Sequence, residues 1–344
     1  MADRLRIAII ADPFLPVPPI GYGGIERIID FLIKHLVEKG HHVILIGHKD
    51  SVVPVPLIPY GNQDSKIKHL HNLFTINKIR KFRPDIIHSF GRLAYLLPFL
   101  QSSIPKIMSY QREPTIAQIK KAVSISKRNT LSFTGCSNYI SNQISGFAEA
   151  IAIHNGFPMD VYQPNFTYNS SAPLVFLGRI EHIKGTHIAI EVALKTNSDL
   201  IIAGNIPVGE MHYFKEKIAP FLSEKIKYIG VVNDLQKNAL LQQAKALLMP
   251  ILWNEPFGIV MIEAMACGTP VLGFERGGLA EIVKNGISGF VCNSLLEMIS
   301  SVVKLYTLPR KDVWQYAFNN FNSKHITDKY LELYYQKHNT LKQQ

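Results

Sequence analysis

The sequence predicts an α/β protein with two domains, each built on a parallel sheet. A chain of 344 residues is too long for one ordinary hydrophobic core and fits two domains of typical size. Short apolar segments alternate with amphipathic helical segments along the chain, and this alternation favours parallel sheets. The periodicity is lost between 157 and 172, where prolines and polar residues accumulate. We therefore expect domains at 1–160 and 161–320, with a final helix in 321–344.

The first domain is predicted from five apolar segments and one glycine-bounded helix. The helix runs from about Ile25 to Lys39, between Gly24 and Gly40. The predicted strands are Leu5–Ala11, Val43–Gly47, Asp85–His88, Lys106–Ser109 and Ser132–Gly135.

The second domain repeats the alternation from Pro173 onward. Its predicted strands are Leu174–Leu177, Leu200–Ala203, Tyr228–Val232, Leu247–Ile251, Pro270–Gly273 and Gly289–Cys292. Its predicted helices are Thr186–Lys195, Leu235–Lys245, Ile259–Cys267 and one after Gly278. The last helix of the chain, roughly His325–His338, carries an aromatic stripe that we expect to pack across the first domain.

Composition is that of a well-packed globular protein, with 47% hydrophobic and 18% charged residues. The three cysteines are odd in number and widely spaced, which favours buried thiols in a reducing compartment. The apolar run at the N-terminus is too short for a signal peptide, and no segment approaches the length of a membrane span. We expect a cytoplasmic enzyme.

The net charge of +11 is concentrated in one segment. Residues 66–128 contain thirteen Lys or Arg and two acids. A solvated basic face is one interpretation. A surface that meets anionic lipid head groups or an acidic acceptor is the other, since each cation near a charged membrane contributes about 1 kcal/mol. We find no helix-turn-helix, zinc or ribonucleoprotein signature, so nucleic acid is not an expected partner.

The most informative block is WNEPFGIVMIEAMACGTPVLG, residues 253–273. Pro256, Phe257 and Gly258 suit the entry to a helix that begins near Ile259. Glu255 then lies in the preceding loop, and Glu263 lies inside the helix. The free N–H groups of the first turn lie between these carboxylates and favour an anion or a hydroxyl-rich ligand. The block therefore predicts a pocket for a phosphorylated sugar.

Two further motifs fall near predicted strand ends. Gly178-Arg179 and Lys184-Gly185 follow the first strand of the second domain, where two cations can hold a diphosphate. Gly21-x-Gly23-Gly24 opens the first helix without the spacing of a dinucleotide fingerprint. Its glycines either bring bare backbone to a phosphate or sugar, or serve a structural turn.

Taken together, these motifs resemble glycosyltransferase family four, whose members are retaining enzymes with the GT-B fold. The resemblance covers almost the whole chain and is strongest over 174–291. It implies two Rossmann-like, doubly wound parallel-sheet domains that face each other across a cleft. The runs IEHIKGTHIAIEVA, Trp253-x-Glu255-Pro-Phe-Gly and VPPIGYGGIER resemble the branch that acts with UDP-glucose.

The resemblance also implies roles for particular residues. Glu263 would receive the ribose hydroxyls, and Arg179 with Lys184 would neutralise the diphosphate. Glu255 and the backbone around Pro256–Ile259 would hold the transferred sugar. Gly23 and Gly24 would approach the phosphates, and Val231 would frame the base. Such members need neither a metal nor a cofactor beyond the UDP-sugar, and no Asp-x-Asp pair occurs here.

The sequence departs from the family pattern at one position. Members often carry a histidine in a Thr-x-His pattern facing the reacting sugar, and here Gln111 stands in its place. Glutamine can hydrogen-bond a hydroxyl but cannot move a proton at neutral pH. His88 is the other histidine of the first domain that we consider, either as a catalytic group or as a buried structural residue.

We therefore expect a retaining hexosyltransferase, with glucose from UDP-glucose as the favoured donor. The acceptor would be a carbohydrate or a lipid-linked carbohydrate in cell-envelope or exopolysaccharide synthesis. The basic segment favours a peripheral location on the inner face of the cell membrane. A catalytically weakened sugar-nucleotide-binding protein and a GT-B sugar-nucleotide epimerase remain as alternatives.

Overall fold

The computed structural model describes residues 4–21, 23–61, 66–167, 169 and 171–342, without the side chains of 66–68. The chain forms two compact units. Unit 1 contains the chain up to Asn155 together with the segment from Ser323, and unit 2 contains Gly156–Asn322. The structure thus divides the chain after 155 and 322, where the sequence places the divisions after 160 and 320.

Unit 1 is built on a seven-stranded parallel sheet with the order β3-β2-β1-β4-β5-β6-β7. Its strands are β1 (Arg6–Ile10), β2 (His42–Gly47), β3 (Leu57–Pro59), β4 (Ile86–Ser89), β5 (Lys106–Tyr110), β6 (Leu131–Gly135) and β7 (Ala150–Ala152). The central strands are buried on both faces, which explains their continuous apolar sequences.

The connections of unit 1 are mostly helical. Its helices are α1 (Gly24–Glu38), α2 (Lys66–Asn77), α3 (Ile116–Ile125) and α4 (Asn138–Ser145), with 3-10 segments at Lys78–Phe82 and Leu93–Phe99. Because crossovers between parallel strands are right-handed, the reversal of strand order at β1 places α1 on one face and α2, α3 and α4 on the other.

Unit 2 is built on a six-stranded parallel sheet with the order β10-β9-β8-β11-β12-β13. Its strands are β8 (Leu174–Leu177), β9 (Leu200–Ala203), β10 (Ile226–Tyr228), β11 (Ala246–Met249), β12 (Val271–Phe274) and β13 (Gly289–Cys292). Its helices are α5 (Thr186–Lys195), α6 (Met211–Lys217), α7 (Asp234–Gln243), α8 (Ile259–Ala266), α9 (Leu279–Ile282), α10 (Leu295–Lys304) and α11 (Arg310–Phe321). Two parallel-sheet α/β units confirm the predicted fold class.

One predicted strand was misplaced. The sequence favoured Tyr228–Val232, whereas β10 covers Ile226–Tyr228 and pairs with β9. Gly230 adopts a φ of 75°, so the chain turns out of the sheet just after Tyr228. Asn233 then begins α7 with a capping box that includes Gln236. Val231 is consequently a loop residue.

The last helix, α12 (Ser323–Lys342), belongs to unit 1 and contacts α1. Lys39 on α1 forms an ion pair with Asp328 at 2.7 Å. Tyr330 and Tyr334 of its aromatic stripe are fully buried in unit 1. In the part of the chain that the structure describes, no helix is long and apolar enough to cross a bilayer.

Candidate active site

The carboxyl ends of β8 and β11 carry the two loops that hold most of the predicted donor-binding residues. In a parallel sheet these ends lie at one edge, where α/β proteins bind their ligands. The loop after β8 contains Arg179 and Lys184, and the loop after β11 contains Glu255 and leads into α8. Since β8 and β11 are neighbours, the two loops are adjacent.

Lys184 and Glu255 are in direct contact. The Nζ atom of Lys184 lies 2.5 Å from Oε2 of Glu255, and both side chains are largely buried. Trp253 donates its indole N–H to the same carboxylate oxygen at 3.0 Å. The Nζ atom of Lys184 lies over the Trp253 ring, 4.8 Å from its centroid. Trp253 thereby fixes both partners of the ion pair, a role that sequence reasoning missed.

Close backbone packing holds the two loops in place. Gly185 adopts a φ of 74°, and a Cβ atom there would lie 1.9 Å from the carbonyl oxygen of Pro250. Leu252 donates its backbone N–H to the carbonyl of Ile183 at 2.8 Å. On the other side, Gly277 lies so near Glu255 that a Cβ atom would approach the Glu255 carbonyl oxygen to 2.2 Å. These glycines are required because no side chain fits between the loops.

Helix α8 starts as the sequence predicts, after Gly258 with a φ of 79°. Pro256 and Phe257 are buried, and the Phe257 ring packs against Phe321 at a centroid distance of 6.2 Å. Ile259 is the first helical residue, and Pro256, Phe257 and Gly258 connect Glu255 to the N–H groups of the first turn. The loop that carries Glu255 therefore leads into the end of α8 that bears a partial positive charge.

Glu263 lies on α8 and is 4% exposed, but it does not contact Lys184 or Arg179. Its Oε1 atom accepts hydrogen bonds from Tyr162 at 2.7 Å and from Lys237 on α7 at 2.7 Å. The four charged residues singled out in the sequence therefore do not form one directly bonded cluster. Lys237 and Tyr162 were missed because the sequence gives no signal for either contact.

Arg179 is more open than Lys184. Its guanidinium group pairs with Glu181 at 2.8 Å, and 40% of its side chain is exposed. Val231, predicted to frame the base, lies beyond the end of β10 and is 66% exposed. Both residues lie in loops at the carboxyl ends of strands β8 and β10.

In unit 1, Gly23 and Gly24 mark the start of α1. Gly23 has a φ of 156°, and a Cβ atom there would lie 2.6 Å from Cβ of Pro19. Gly24 is the first residue of the helix. The conformation of Gly23 is accordingly inaccessible to other residues, which accounts structurally for one of the three glycines.

His88 has no exposed surface. Its Nδ1 atom lies 2.6 Å from the Tyr334 hydroxyl, and its Nε2 atom lies 2.6 Å from Oγ of Ser109. Burial lowers the pKa of His88 to about 3, so the ring is neutral at physiological pH. This geometry argues against the predicted catalytic role, because neither nitrogen is open to a substrate; His88 ties α12 to the sheet of unit 1.

Gln111 directly follows β5 and is half-buried. Its Oε1 atom accepts a hydrogen bond from Asn155 at 2.8 Å. Among the described residues, Nε2 of Gln111 and Oδ1 of Asn155 are buried without a hydrogen-bond partner. Such groups are costly to leave unsatisfied, so a polar ligand or water would complete them.

Asp12 follows β1 at the same edge of the unit 1 sheet and was missed by sequence reasoning. Its Oδ1 atom is buried without a partner among the described residues, and its Oδ2 atom lies 3.5 Å from Arg112. Burial raises the pKa of Asp12, and Arg112 and Arg92 oppose the rise. The described residues hold no group of three or more His, Cys, Asp or Glu side chains arranged for a metal.

Comparison with known families identifies the protein family of this chain. The family model described as Glycosyl transferases group 1 matches residues 163–304, and the model Glycosyltransferase Family 4 matches residues 22–114. Together the two matches span well over half of the chain. This chain belongs to glycosyltransferase family 4.

Similar proteins agree with this assignment. The glycosyltransferase is 25% identical over 336 residues to the glycogen synthase of Mycobacterium tuberculosis, covering 80% of each chain. A glycosyltransferase structure from Rickettsia africae matches with a TM-score of 0.80 and 20% identity, covering 97% of this chain and 99% of the other. HepE from Anabaena, solved in complex with UDP-glucose, matches with a TM-score of 0.72 and 18% identity, covering 96% and 99%. The fold is GT-B, as the resemblance implied.

Proposed function

We propose that this glycosyltransferase transfers a hexose, with glucose from UDP-glucose as the first choice, to a hydroxyl group of a carbohydrate acceptor. The observation that carries the proposal is the Lys184–Glu255 ion pair, whose carboxylate lies in the loop that leads into the N-terminus of α8. A cation, a carboxylate and a row of free N–H groups can together bind a sugar diphosphate. The complex of HepE with UDP-glucose supports this choice of donor.

Within this proposal, each residue that binds the sugar donor has a role that follows from its surroundings. Lys184 and Arg179 take up the negative charge that grows on the departing diphosphate, assisted by the first turn of α8. Glu255 and the backbone of Phe257 and Gly258 hold hydroxyls of the transferred sugar. Glu263 binds the ribose hydroxyls.

The base and the phosphates complete the proposed donor contacts. Val231 frames the base, and the backbone at Gly23 and Gly24 approaches the phosphates. The proposal assigns the diphosphate charge to protein groups rather than to a metal, so activity should persist in EDTA.

Retention at the anomeric carbon is part of the proposal. A two-carboxylate mechanism would need a nucleophile beside the anomeric carbon. Glu255 is already engaged by Lys184 and Trp253, which suits binding better than covalent attack. We therefore propose that the acceptor hydroxyl attacks from the face that the diphosphate leaves. Gln111 would hydrogen-bond the reacting sugar without moving a proton.

The proposed pathway is cell-envelope or exported polysaccharide synthesis, with a soluble or lipid-linked acceptor. The rival is a sugar-nucleotide-binding protein, and the observation that favours it is Gln111 in place of the family histidine. The unpartnered Nε2 atom of Gln111 is compatible with either outcome. A sugar-nucleotide epimerase is the remaining alternative.

A donor screen followed by a transfer assay tests the proposal. Thermal shift with a panel of nucleotide sugars should select UDP-glucose, and nuclear magnetic resonance should then detect hydrolysis or transfer with an α-anomeric product. An inverted product, or loss of turnover in EDTA, would contradict the retaining, metal-independent mechanism. Tight binding without turnover would favour the binding protein, and solvent deuterium entering the sugar ring would favour the epimerase.

A further inference from the structure

The basic segment of unit 1 carries exposed apolar side chains as well as cations. On α2, Leu70 is 63% and Phe74 is 76% exposed. Lys78 and Lys81 follow in the adjoining 3-10 segment and are also exposed. Spacings of four, four and three residues place these side chains close to one line along the helical segment. Two apolar residues thus occupy one end of an exposed stripe, and two cations occupy the other.

This stripe continues onto neighbouring elements of the same face. Arg80 joins the two 3-10 segments by donating to the carbonyl of Pro98 at 2.7 Å, beside Leu97, which is 48% exposed. Lys127 donates its backbone N–H to the carbonyl of Leu100 and so ties the second segment to the end of α3. Exposed residues on and beyond α3 include Lys121, Ile125 and Arg128. We call the surface made by these exposed side chains the basic-apolar face; its residues are Leu70, Phe74, Lys78, Lys81, Leu97, Lys121, Ile125 and Arg128.

The charge of this face is one-sided. The segments 70–83, 93–99 and 116–128 contain no Asp or Glu. The two acids within 66–128 are engaged elsewhere. Asp85 accepts the backbone N–H of Arg6 at 2.8 Å, and Glu113 accepts the hydroxyl of Tyr139 at 2.6 Å. The cations of the face therefore lack acidic partners in these segments, and an anionic surface would supply them.

A fully solvated basic face does not require large apolar side chains among its cations. Double-stranded nucleic acid would use the cations and would gain little from exposed Leu70 and Phe74. Single-stranded nucleic acid could stack a base on Phe74 but would gain little from Leu70, Leu97 and Ile125. A bilayer that contains anionic lipid uses both, because cations bind the head groups while apolar side chains enter the boundary with the acyl chains. From this combination of charge and exposed apolar area, we infer that the basic-apolar face binds the surface of an anionic phospholipid bilayer.

Vesicle co-sedimentation of the full chain tests this inference. The probes are phosphatidylcholine vesicles with and without roughly 30% phosphatidylglycerol. We expect binding to the anionic vesicles and little binding to the neutral ones. Raising NaCl from about 0.1 M to about 0.5 M should weaken binding without abolishing it, because screening leaves apolar insertion in place. Equal binding to both vesicle types, or none to either, would overturn the inference.

Substitutions separate the two contributions. Lys78→Glu with Lys81→Glu should weaken vesicle binding by at least about tenfold, since each lost cation costs on the order of fivefold. Leu70→Ser with Phe74→Ser should remove the binding that persists at high salt. Matched controls in unit 2 are Lys215→Glu with Lys311→Glu, and Val208→Ser, all at exposed positions. Equal losses in variants and controls would contradict the assignment of this face.

Insertion can be observed directly at Phe74, whose exposure makes substitution safe for folding. Phe74→Trp should shift its emission to the blue on addition of anionic vesicles and be quenched by brominated lipid, whereas Val208→Trp should do neither. DNA is added as a competitor. If DNA displaced the protein completely from the anionic vesicles, and if these vesicles did not change the emission of Phe74→Trp, the face would be assigned to nucleic acid instead. UDP-sugar hydrolysis should be unchanged in every surface variant. The test of membrane binding is therefore independent of the test of the proposed function.

Discussion

The Nζ atom of Lys184 lies 2.5 Å from Oε2 of Glu255, across the two loops that follow neighbouring strands β8 and β11. The contact joins a cation and a carboxylate that are 71 residues apart in the chain. Trp253 completes it with a hydrogen bond to Glu255. A pair held this firmly is preorganised, so it can act on a leaving group without first reorganising.

The first prediction concerns this pair. Lys184→Met keeps most of the side-chain volume and removes the charge, and we expect kcat for UDP-sugar turnover to fall by about 100-fold or more. The loss should appear in kcat more than in KM, because the charge on the leaving group grows toward the transition state. Lys195→Met, at the exposed far end of α5, is the matched control. A Lys184→Met enzyme with wild-type kcat would contradict the proposed role.

The second prediction separates binding from stability at Glu263. Glu263→Gln should weaken UDP binding by roughly tenfold or more, measured by calorimetry, if the carboxylate receives the ribose hydroxyls. It should also destabilise unit 2, because it removes the carboxylate charge that lies 2.7 Å from the ammonium group of Lys237 and leaves Asp234, at 3.5 Å, as its anionic partner. The double variant Glu263→Gln with Lys237→Met should recover stability and still bind UDP weakly. Recovery of both properties together would show that Glu263 is structural.

The sequence predicts the sheets and the donor loops well because both depend on local signals. The local signals are the continuous apolar strands, the glycine after β8 and the proline-glycine entry to α8. They determine which loops, at the ends of which strands, contain Lys184 and Glu255. Strand order then brings them together, and alternation along the chain does not reveal that order. The contact between Glu263 and Lys237 depends on which faces of α7 and α8 meet, and the short apolar pattern of α7 does not determine this.

Local patterns mislead where a distant residue or a single glycine decides the structure. Gly230 ends β10 earlier than its apolar neighbours suggest. His88 looks like a catalytic candidate until Tyr334, 246 residues away, is found bonded to its ring. Asp12 belongs to no sequence motif, and only the structure shows that it is buried beside Arg112. These features depend on tertiary contacts that a linear pattern does not contain.

The third prediction follows from the pKa of about 3 for buried His88. The folded state disfavours protonation, so stability is complete above the ordinary histidine value of 6.5 and is lost as pH falls from there toward 3. The loss approaches about 1.4 kcal/mol per pH unit for one proton. Hydrogen exchange of peptides that contain β4 should therefore accelerate between pH 6.5 and 5 beyond the intrinsic pH effect.

His88→Leu and Tyr334→Phe test this explanation. His88→Leu should lower stability at pH 7, because it removes the hydrogen bond of the buried Tyr334 hydroxyl and leaves Ser109 with Thr134 alone. It should also flatten the acid dependence. Tyr334→Phe should lower stability slightly and keep the acid dependence, since the titrating ring remains. An unchanged acid dependence in His88→Leu would assign the effect to other groups.

The fourth prediction concerns Asp12, whose pKa is raised by burial. A carboxyl group with a raised pKa in the folded state favours folding when it is protonated and opposes folding when it is ionised. Asp12→Asn should therefore raise Tm at pH 7, and the gain should disappear as pH falls through the folded-state pKa toward the ordinary value of 3.8.

Arg112→Gln provides the opposing control, because Arg112 lies 3.5 Å from Asp12 and opposes the rise in its pKa. Removing that cation should raise the pKa of Asp12 further and lower Tm at pH 7. The combination of Arg112→Gln with Asp12→Asn should recover the lost Tm, because the ionised group that required compensation is then absent. A lower Tm for Asp12→Asn alone at pH 7 would contradict this prediction, because it would show that the ionised carboxylate stabilises the fold.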